Sequence, residues 1–219
     1  MAPRSYGQHC AVAKSLDLVG DRWTLLIVRD LLDGPKRYVD LHTGLGSIAT
    51  DMLAGRLRML EQHGLVHKRS LPKPATGNVY ELTDDGAALE EVVNAFARWG
   101  RHLLDVREAG DTVRPEWFHA AVRAYVSPAR KGPDLVVRLA APEAGVTVRI
   151  GPDSVEAVDD DVAADVILTG PADVLVLALQ PSRAEELVAA GRLHIGGDPA
   201  GVSRLAELFD PPRDRSSVG

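Results

Sequence analysis

Four groups of residues in this chain have types and spacings that could do chemistry: Cys10, the histidines His42, His63 and His67, the run Asp159-Asp160-Asp161, and the set Ser47, Thr50 and Arg58. A single thiol such as Cys10 can sense oxidants or electrophiles if it has thiolate character and is exposed, which makes it a candidate redox sensor. His9 beside it could favour the thiolate, but adjacent side chains on a helix do not face one another. The competing reading of Cys10 is a small buried hydrophobe at a subunit interface. His63 and His67 are separated by Gly64, a helix stop, so helical i,i+4 geometry is lost; no cysteine joins them and no metal site is expected. The aspartate run reads as a solvated turn between strands rather than a catalytic carboxylate pair. No glycine-rich phosphate loop, nucleophile elbow or zinc signature is present, and "GRLHIGGDPAG" is a strand-to-helix turn. The expectation is therefore no catalytic residue, no cofactor and no enzyme.

The remaining set points to a polyanion. Ser47, Thr50, Asp51, Ala54 and Arg58 fall on one side of a helix that is small and polar at its start and basic further along. A solvated helix face has the same pattern. A helix entering the DNA major groove, only ~12 Å wide, needs such a slim polar edge with backbone-neutralising cations beside it.

The elements that must position this face can be read from periodicity and stop signals. "CAVAKSLDLVG" carries Val12, Leu16 and Val19 at helical spacing and ends on Gly20. "DRWTLLIVRDLLDGP" opens on Asp21 as N-cap, with Trp23, Leu26, Ile27 and Leu31 as a buried stripe. A short third helix passes through Tyr38, Val39 and Leu41. The fourth runs from Ser47-Ile48 to about Gln62, turning Ile48, Met52, Leu53, Leu57 and Leu60 inward. "LVHKRSL" and "NVYELT" form a hairpin around "PKPATG", and Asp84 caps a long amphipathic helix reaching Val106. Arg69 and Lys73 are then hairpin charges suited to phosphate. Arg22 opens the second helix, where amides and a cation together can hold a phosphate, and Lys36 and Arg37 stand similarly before the third. Arg56 lies to the side of the fourth helix, where it can instead pair with an acid inside the domain.

Charge distribution agrees with this map. Residues 104–219 hold 12 Lys and Arg against 19 Asp and Glu, whereas residues 36–73 hold 7 against 3. Screening confines the field of that local basic stretch to roughly 10 Å, so a net charge of -6 does not oppose polyanion binding there. With 45% hydrophobic and 26% charged residues, disorder is excluded as the default. No apolar run approaches a membrane span, the start lacks the apolar core of a leader, and one cysteine fits a reducing compartment. A cytoplasmic protein without a membrane partner is expected.

Helices followed by a hairpin describe a mainly α winged helix-turn-helix. "LDLVGDRWTLLIVRDLL", "GPKRYVDLHTGL", "IATDMLAGRLRMLEQHGLV", "YELTDDGAAL" and the N-terminal Cys10 resemble the HxlR family of winged-helix transcriptional regulators, relatives of the MarR group, over about residues 8–104. The resemblance implies a homodimer on a pseudo-palindromic operator in double-stranded DNA, a recognition helix at about 47–62, a wing at 66–82, and dimerisation through the terminal helices. The apolar width of the helix from Asp84, with Leu89, Val92, Val93, Phe96, Trp99, Leu103 and Leu104, independently exceeds what a small domain covers alone.

From about Asp111 the pattern changes to α+β: a helix at "WFHAAVRAYV", strands at "DLVVRLA", "GVTVRIG", "SVEAV" and "ADVILTG", two helices, a strand at "RLHIGG" and a last helix. "AADVILTGPADVLVLAL" and "AAGRLHIGGDPAGVSRLAELF" resemble the sterol-carrier-protein-like fold, which implies an apolar cavity for a small-molecule effector. The expected organisation is a DNA-binding and dimerisation domain at 1–108, a sterol-carrier-like ligand domain at 112–210 and a tail at 211–219. The alternative function is an apolar-ligand carrier whose winged helix serves only dimerisation.

Overall fold

The first helices form where expected but bury different faces. The structure, a computed structural model, describes residues 5–209, so the tail expected at 211–219 lies outside the described residues. Helix α1 spans Ala11–Val19 and stops at Gly20, whose amide donates to the Leu16 carbonyl. Its buried residues are Ala13 and Val19, while Val12 and Leu16 stand 67% and 42% exposed. The segment before it folds back: the Tyr6 amide and the Ser5 hydroxyl donate to Asp17, and together they hold that carboxyl below its usual range.

Helix α2 spans Thr24–Leu31. Trp23, not Asp21, occupies its N-cap position, and no side chain caps it. The Asp21 carboxylate is instead taken by Arg56 of the fourth helix, and a charged partner outcompetes a cap. Ile27, Val28 and Leu31 are buried, Trp23 is half-buried and Leu26 reaches the surface.

Strand β1, Lys36–Arg37, leads directly into helix α3, Tyr38–Leu45, and helix α4 runs from Thr50 to Gln62. Leu53, Leu57 and Leu60 of α4 pack with Ile27, Leu31, Leu41 and Ile48 in one core. Met52 departs from the expected inward set: it is 42% exposed, with its sulfur 3.9 Å from Arg56. Strands β2, Val66–Ser70, and β3, Asn78–Leu82, complete an antiparallel three-stranded sheet in the order β1-β3-β2. The wing thus has one strand more than the expected hairpin.

The long helix expected from Asp84 is interrupted. Thr83, not Asp84, is the cap, accepting from the Gly86 amide at 3.1 Å. Helix α5 covers only Asp84–Ala87, and helix α6 resumes at Glu90 and ends at Gly100, where a 3-10 turn over Arg101–Asp105 follows. The cause is tertiary. The Thr83 hydroxyl donates to the Gly64 carbonyl at 2.6 Å, and a Cβ on Gly86 would lie 1.9 Å from the Leu65 carbonyl oxygen. With its first turn pinned against the start of β2, the chain tightens, and Leu89 donates to Gly86 with 3-10 spacing before α6 begins.

Contacts divide the chain into two units, between Val93 and Asn94. The second unit holds helix α7, Phe118–Tyr125, and a five-stranded sheet of β4 (Leu135–Ala140), β5 (Gly145–Ile150), β6 (Val155–Val158), β7 (Val166–Thr169) and β8 (His194–Gly197). Its order is β6-β5-β4-β7-β8, parallel only between β4 and β7. Helices α8 (Ala172–Ala178) and α9 (Pro181–Ala189) connect β7 to β8, and α10 (Pro199–Leu208) follows. Strand alternation sorts the faces: Leu135, Val137 and Leu139 go to the core with Phe118, Val148, Ile150, Leu168, Leu175 and Leu179. On the other face, the buried Thr147 hydroxyl and Arg138 share the Asp160 carboxylate at 3.0 and 2.9 Å, so the middle of the aspartate run is a tied corner, not a wholly solvated one.

One side of this unit stays open. Helices α9 and α10 present Ala184, Val188, Val202 and Leu205 to a groove of about 570 Å³ floored by Leu193 and Phe209.

Candidate nucleic-acid interface

The face formed by α4 is open and narrow. Thr50, Asp51 and Arg58 are exposed, with Ala54 half-buried among them, and Ser47, expected to open the helix, is exposed in the bend before it because the helix starts only at Thr50. Gly55, which the sequence pattern did not single out, joins this face: it is exposed, and a Cβ there would meet nothing within 4 Å. The signal was available in the spacing, because Asp51, Gly55 and Arg58 stand at i, i+4 and i+7. Asp51 sits in the first turn, where its carboxylate accepts from the Met52 amide at 2.9 Å and suits the positive end of the helix.

Two contacts fix this helix from outside. The Tyr38 hydroxyl donates to the Thr50 carbonyl at 2.7 Å, joining the start of α3 to the start of α4. Arg56 is bonded to Asp21, as its position on the side of the helix allowed. Asp21 precedes Arg22, so the turn that opens α2 is fastened to α4, with the Arg22 guanidinium 5.7 Å from the Trp23 ring centroid.

Strand register then assembles the cations. Lys36 and Lys68 lie across from Tyr80 on either side, and Arg37 and Arg69 lie across from Val79. Positive charge from two separate stretches is thereby set in two cross-strand rows, one on each face of the sheet, by a strand of two residues. Lys68 rests its ammonium 5.7 Å from the Tyr80 ring centroid. The Arg37 amide donates to the Asp40 carboxylate at 3.2 Å, which caps α3. Lys73 is exposed in the loop between β2 and β3.

Arg69 is not a free cation. Its Nε donates to Glu81 at 3.0 Å, and His67 Nε2 is 3.6 Å from the same carboxylate oxygen. Glu81 and Tyr80 were passed over in the sequence, although alternation along two facing strands places Glu81 opposite this His67/Arg69 side. His42 stacks near Tyr38 with ring centroids 6.3 Å apart, and His63 closes α4 as its C-cap. Cys10 is an exposed free thiol at the N-cap of α1.

The arrangement offers a slim polar helix edge and a flanking sheet with unequal cations, the geometry that reads base edges while contacting phosphates. Similarity to known proteins covers the same part of the chain. The model for HxlR-like helix-turn-helix proteins matches residues 18–108. The HTH-type transcriptional regulator YodB of Bacillus subtilis (strain 168) is 37% identical over 102 residues, covering 47% of this chain and 88% of that protein. The uncharacterized HTH-type transcriptional regulator YvaP of the same organism is 32% identical over 92 residues, covering 42% and 85%. Among solved structures, the reduced form of YodB aligns at 35% identity over 43% of this chain and 94% of that one, with a TM-score of 0.39.

Proposed function

Because the chain belongs to the HxlR-like helix-turn-helix family of transcriptional regulators, DNA-binding proteins that are not enzymes, we propose that it acts as a cytoplasmic homodimer on a pseudo-palindromic operator. In this reading α4 enters the major groove through Thr50, Asp51, Ala54 and Arg58, with Ser47 in the bend that leads into it. Lys36, Arg37, Lys73 and Arg22 contact phosphates, and Arg69 does so once Glu81 yields it. The observation that carries the reading is the open edge of α4 beside the cation rows of the three-stranded sheet. Dimerisation would cover Phe96, Trp99, Leu103 and Leu104, which are all exposed.

The second unit is assigned as a sterol-carrier-like effector domain over residues 112–210, supported by its α+β build and its apolar groove. Binding there would change the separation of the two recognition helices, and a misfit of a few kcal/mol switches occupancy. Cys10 is retained as a candidate thiol sensor on its exposure. Release from DNA by mild oxidant that persists in Cys10→Ser would remove it from that role.

The test is an electrophoretic mobility shift with the promoter nearest the protein's own gene. Arg58→Ala is expected to weaken specific binding by about 1–3 kcal/mol while leaving the unfolding midpoint unchanged. Unaltered affinity in that variant would reject α4 as the reading element. A ligand carrier that uses the first unit only to dimerise is favoured instead if no duplex binds with a salt dependence.

A further inference from the structure

The open groove of the second unit has a chemical bias that its apolar lining alone does not reveal. Ala184 and Val188 on α9 face Val202 and Leu205 on α10, over Leu193 and Phe209. Its volume of about 570 Å³ is in the range of small-molecule sites, roughly 300–1,000 Å³. Among the described lining residues, only Glu185 and His194 can carry charge. Strand alternation removes one of them. Ile195 lies opposite Leu168, which is buried in the core, whereas His194 lies opposite Thr169 on the other face of the sheet. Consistently, His194 Nε2 is 3.6 Å from the point where a side chain on Gly196 would begin, on that same outer face. Among the described residues, Glu185 therefore supplies the one charge on the groove side, at an exposed position on the rim. Its neighbours on α9 do not cancel it, since Glu186 is the residue paired with Arg183, at 3.0 Å. A long-chain carboxylate would meet repulsion at this mouth, and an ammonium would meet attraction.

We infer that the groove between α9 and α10 binds an amphiphilic cation, an apolar chain or ring system bearing an ammonium-type head that lies against Glu185. This rests on the reading of the second unit as an effector domain and gives that effector a chemical class. No covalent step is involved.

Calorimetric titration of the full chain with dodecyltrimethylammonium, decyltrimethylammonium and dodecanoate, each below its micelle concentration, tests it. The dodecyl ammonium is expected to bind at least about tenfold more tightly than dodecanoate. Shortening it by two methylenes should weaken binding by roughly tenfold, since each buried methylene contributes about a fourfold factor. Glu185→Gln should lower ammonium affinity about fivefold, a modest factor because the carboxylate is solvated, without weakening dodecanoate. Ala184→Trp, which fills the groove from a half-exposed helix position, should abolish both while leaving the circular dichroism unchanged. The inference falls if dodecanoate binds as well as the ammonium, or if Glu185→Gln leaves the preference intact. It falls also if Ala184→Trp changes the oligomeric state without any probe binding, because the groove is then a subunit contact. A parallel mobility shift separates the two levels. Cation-selective binding with no change in operator affinity upholds the ligand class and rejects the effector role, whereas operator binding with no probe binding rejects this inference alone.

Discussion

Asp30 is a buried carboxylate in the first unit, 6% exposed, held by Arg29 at 2.7 Å. Burial pushes its pKa above the usual carboxylate value, against the opposing pull of Arg29 and Lys36. A raised pKa means the folded state binds the proton more tightly than the unfolded one. Its favourable contribution is therefore complete below the ordinary carboxylate pKa of about 3.9 and is lost as pH rises through the raised value. Relative to the parent, Asp30→Asn should thus gain stability as pH climbs from about 4 toward neutrality, measured by urea unfolding at several pH values. A difference that stays flat with pH would contradict this. On the wing, Glu81 neutralises Arg69 and faces His67. Glu81→Gln should raise affinity for non-specific duplex about three- to tenfold at low salt and steepen the salt slope by about one phosphate contact. A fluorescence anisotropy titration across salt concentrations reads both. Cross-strand alternation made Glu81 legible as a neighbour of Arg69. The Asp21 pairing with Arg56 was legible only from one side, because two residues 35 positions apart share no periodicity.

At the scale of elements, the second unit was the more readable half. Its strands alternate cleanly, and Gly and Pro separate them, so β4 to β8, α7, α8 and α10 lie within the stretches quoted from the sequence, and α9 is the second of the two helices expected before β8. The first unit was harder for three physical reasons. The strand state of Lys36–Arg37 is imposed by pairing with β3, and two residues carry no pattern. Apolar residues on α1 recur at helical spacing whether they face the core or another surface, so the spacing of Val12, Leu16 and Val19 does not tell that the first two are exposed and the third buried. The 3.6-residue period also runs on through the interruption at Ala88–Leu89, whose cause is the Leu65 carbonyl, contributed by another segment. Gly86→Ala tests that cause. The added Cβ has no room, and the loss should exceed about 2 kcal/mol, far above the small helix-propensity gain of alanine. An unchanged or raised unfolding midpoint would show that the turn is not pinned there.

At the scale of the whole molecule, the exposed apolar side chains Phe96 and Trp99 are each 58% accessible, with Leu103 and Leu104 following. Side chains of this size left in water favour association. Phe96→Asp combined with Trp99→Asp should therefore give a monomer by analytical ultracentrifugation, with helical content kept and operator affinity lowered at least about a hundredfold, since one half-site alone remains engaged. A dimer that persists would place the contact elsewhere. That surplus of apolar residues was visible in the sequence, but which surface covers them was not, because periodicity records a face and not its occupant. The two ties on α4, Tyr38 to Thr50 and Asp21 to Arg56, bear on any switching as well. Through these ties α4 is fastened to α3 at its tip and to the α2 turn along its flank. If α4 is the reading element proposed above, a signal that loosens the grip on DNA is expected to move it together with α2 and α3, changing the pitch between two such helices and not the shape of either.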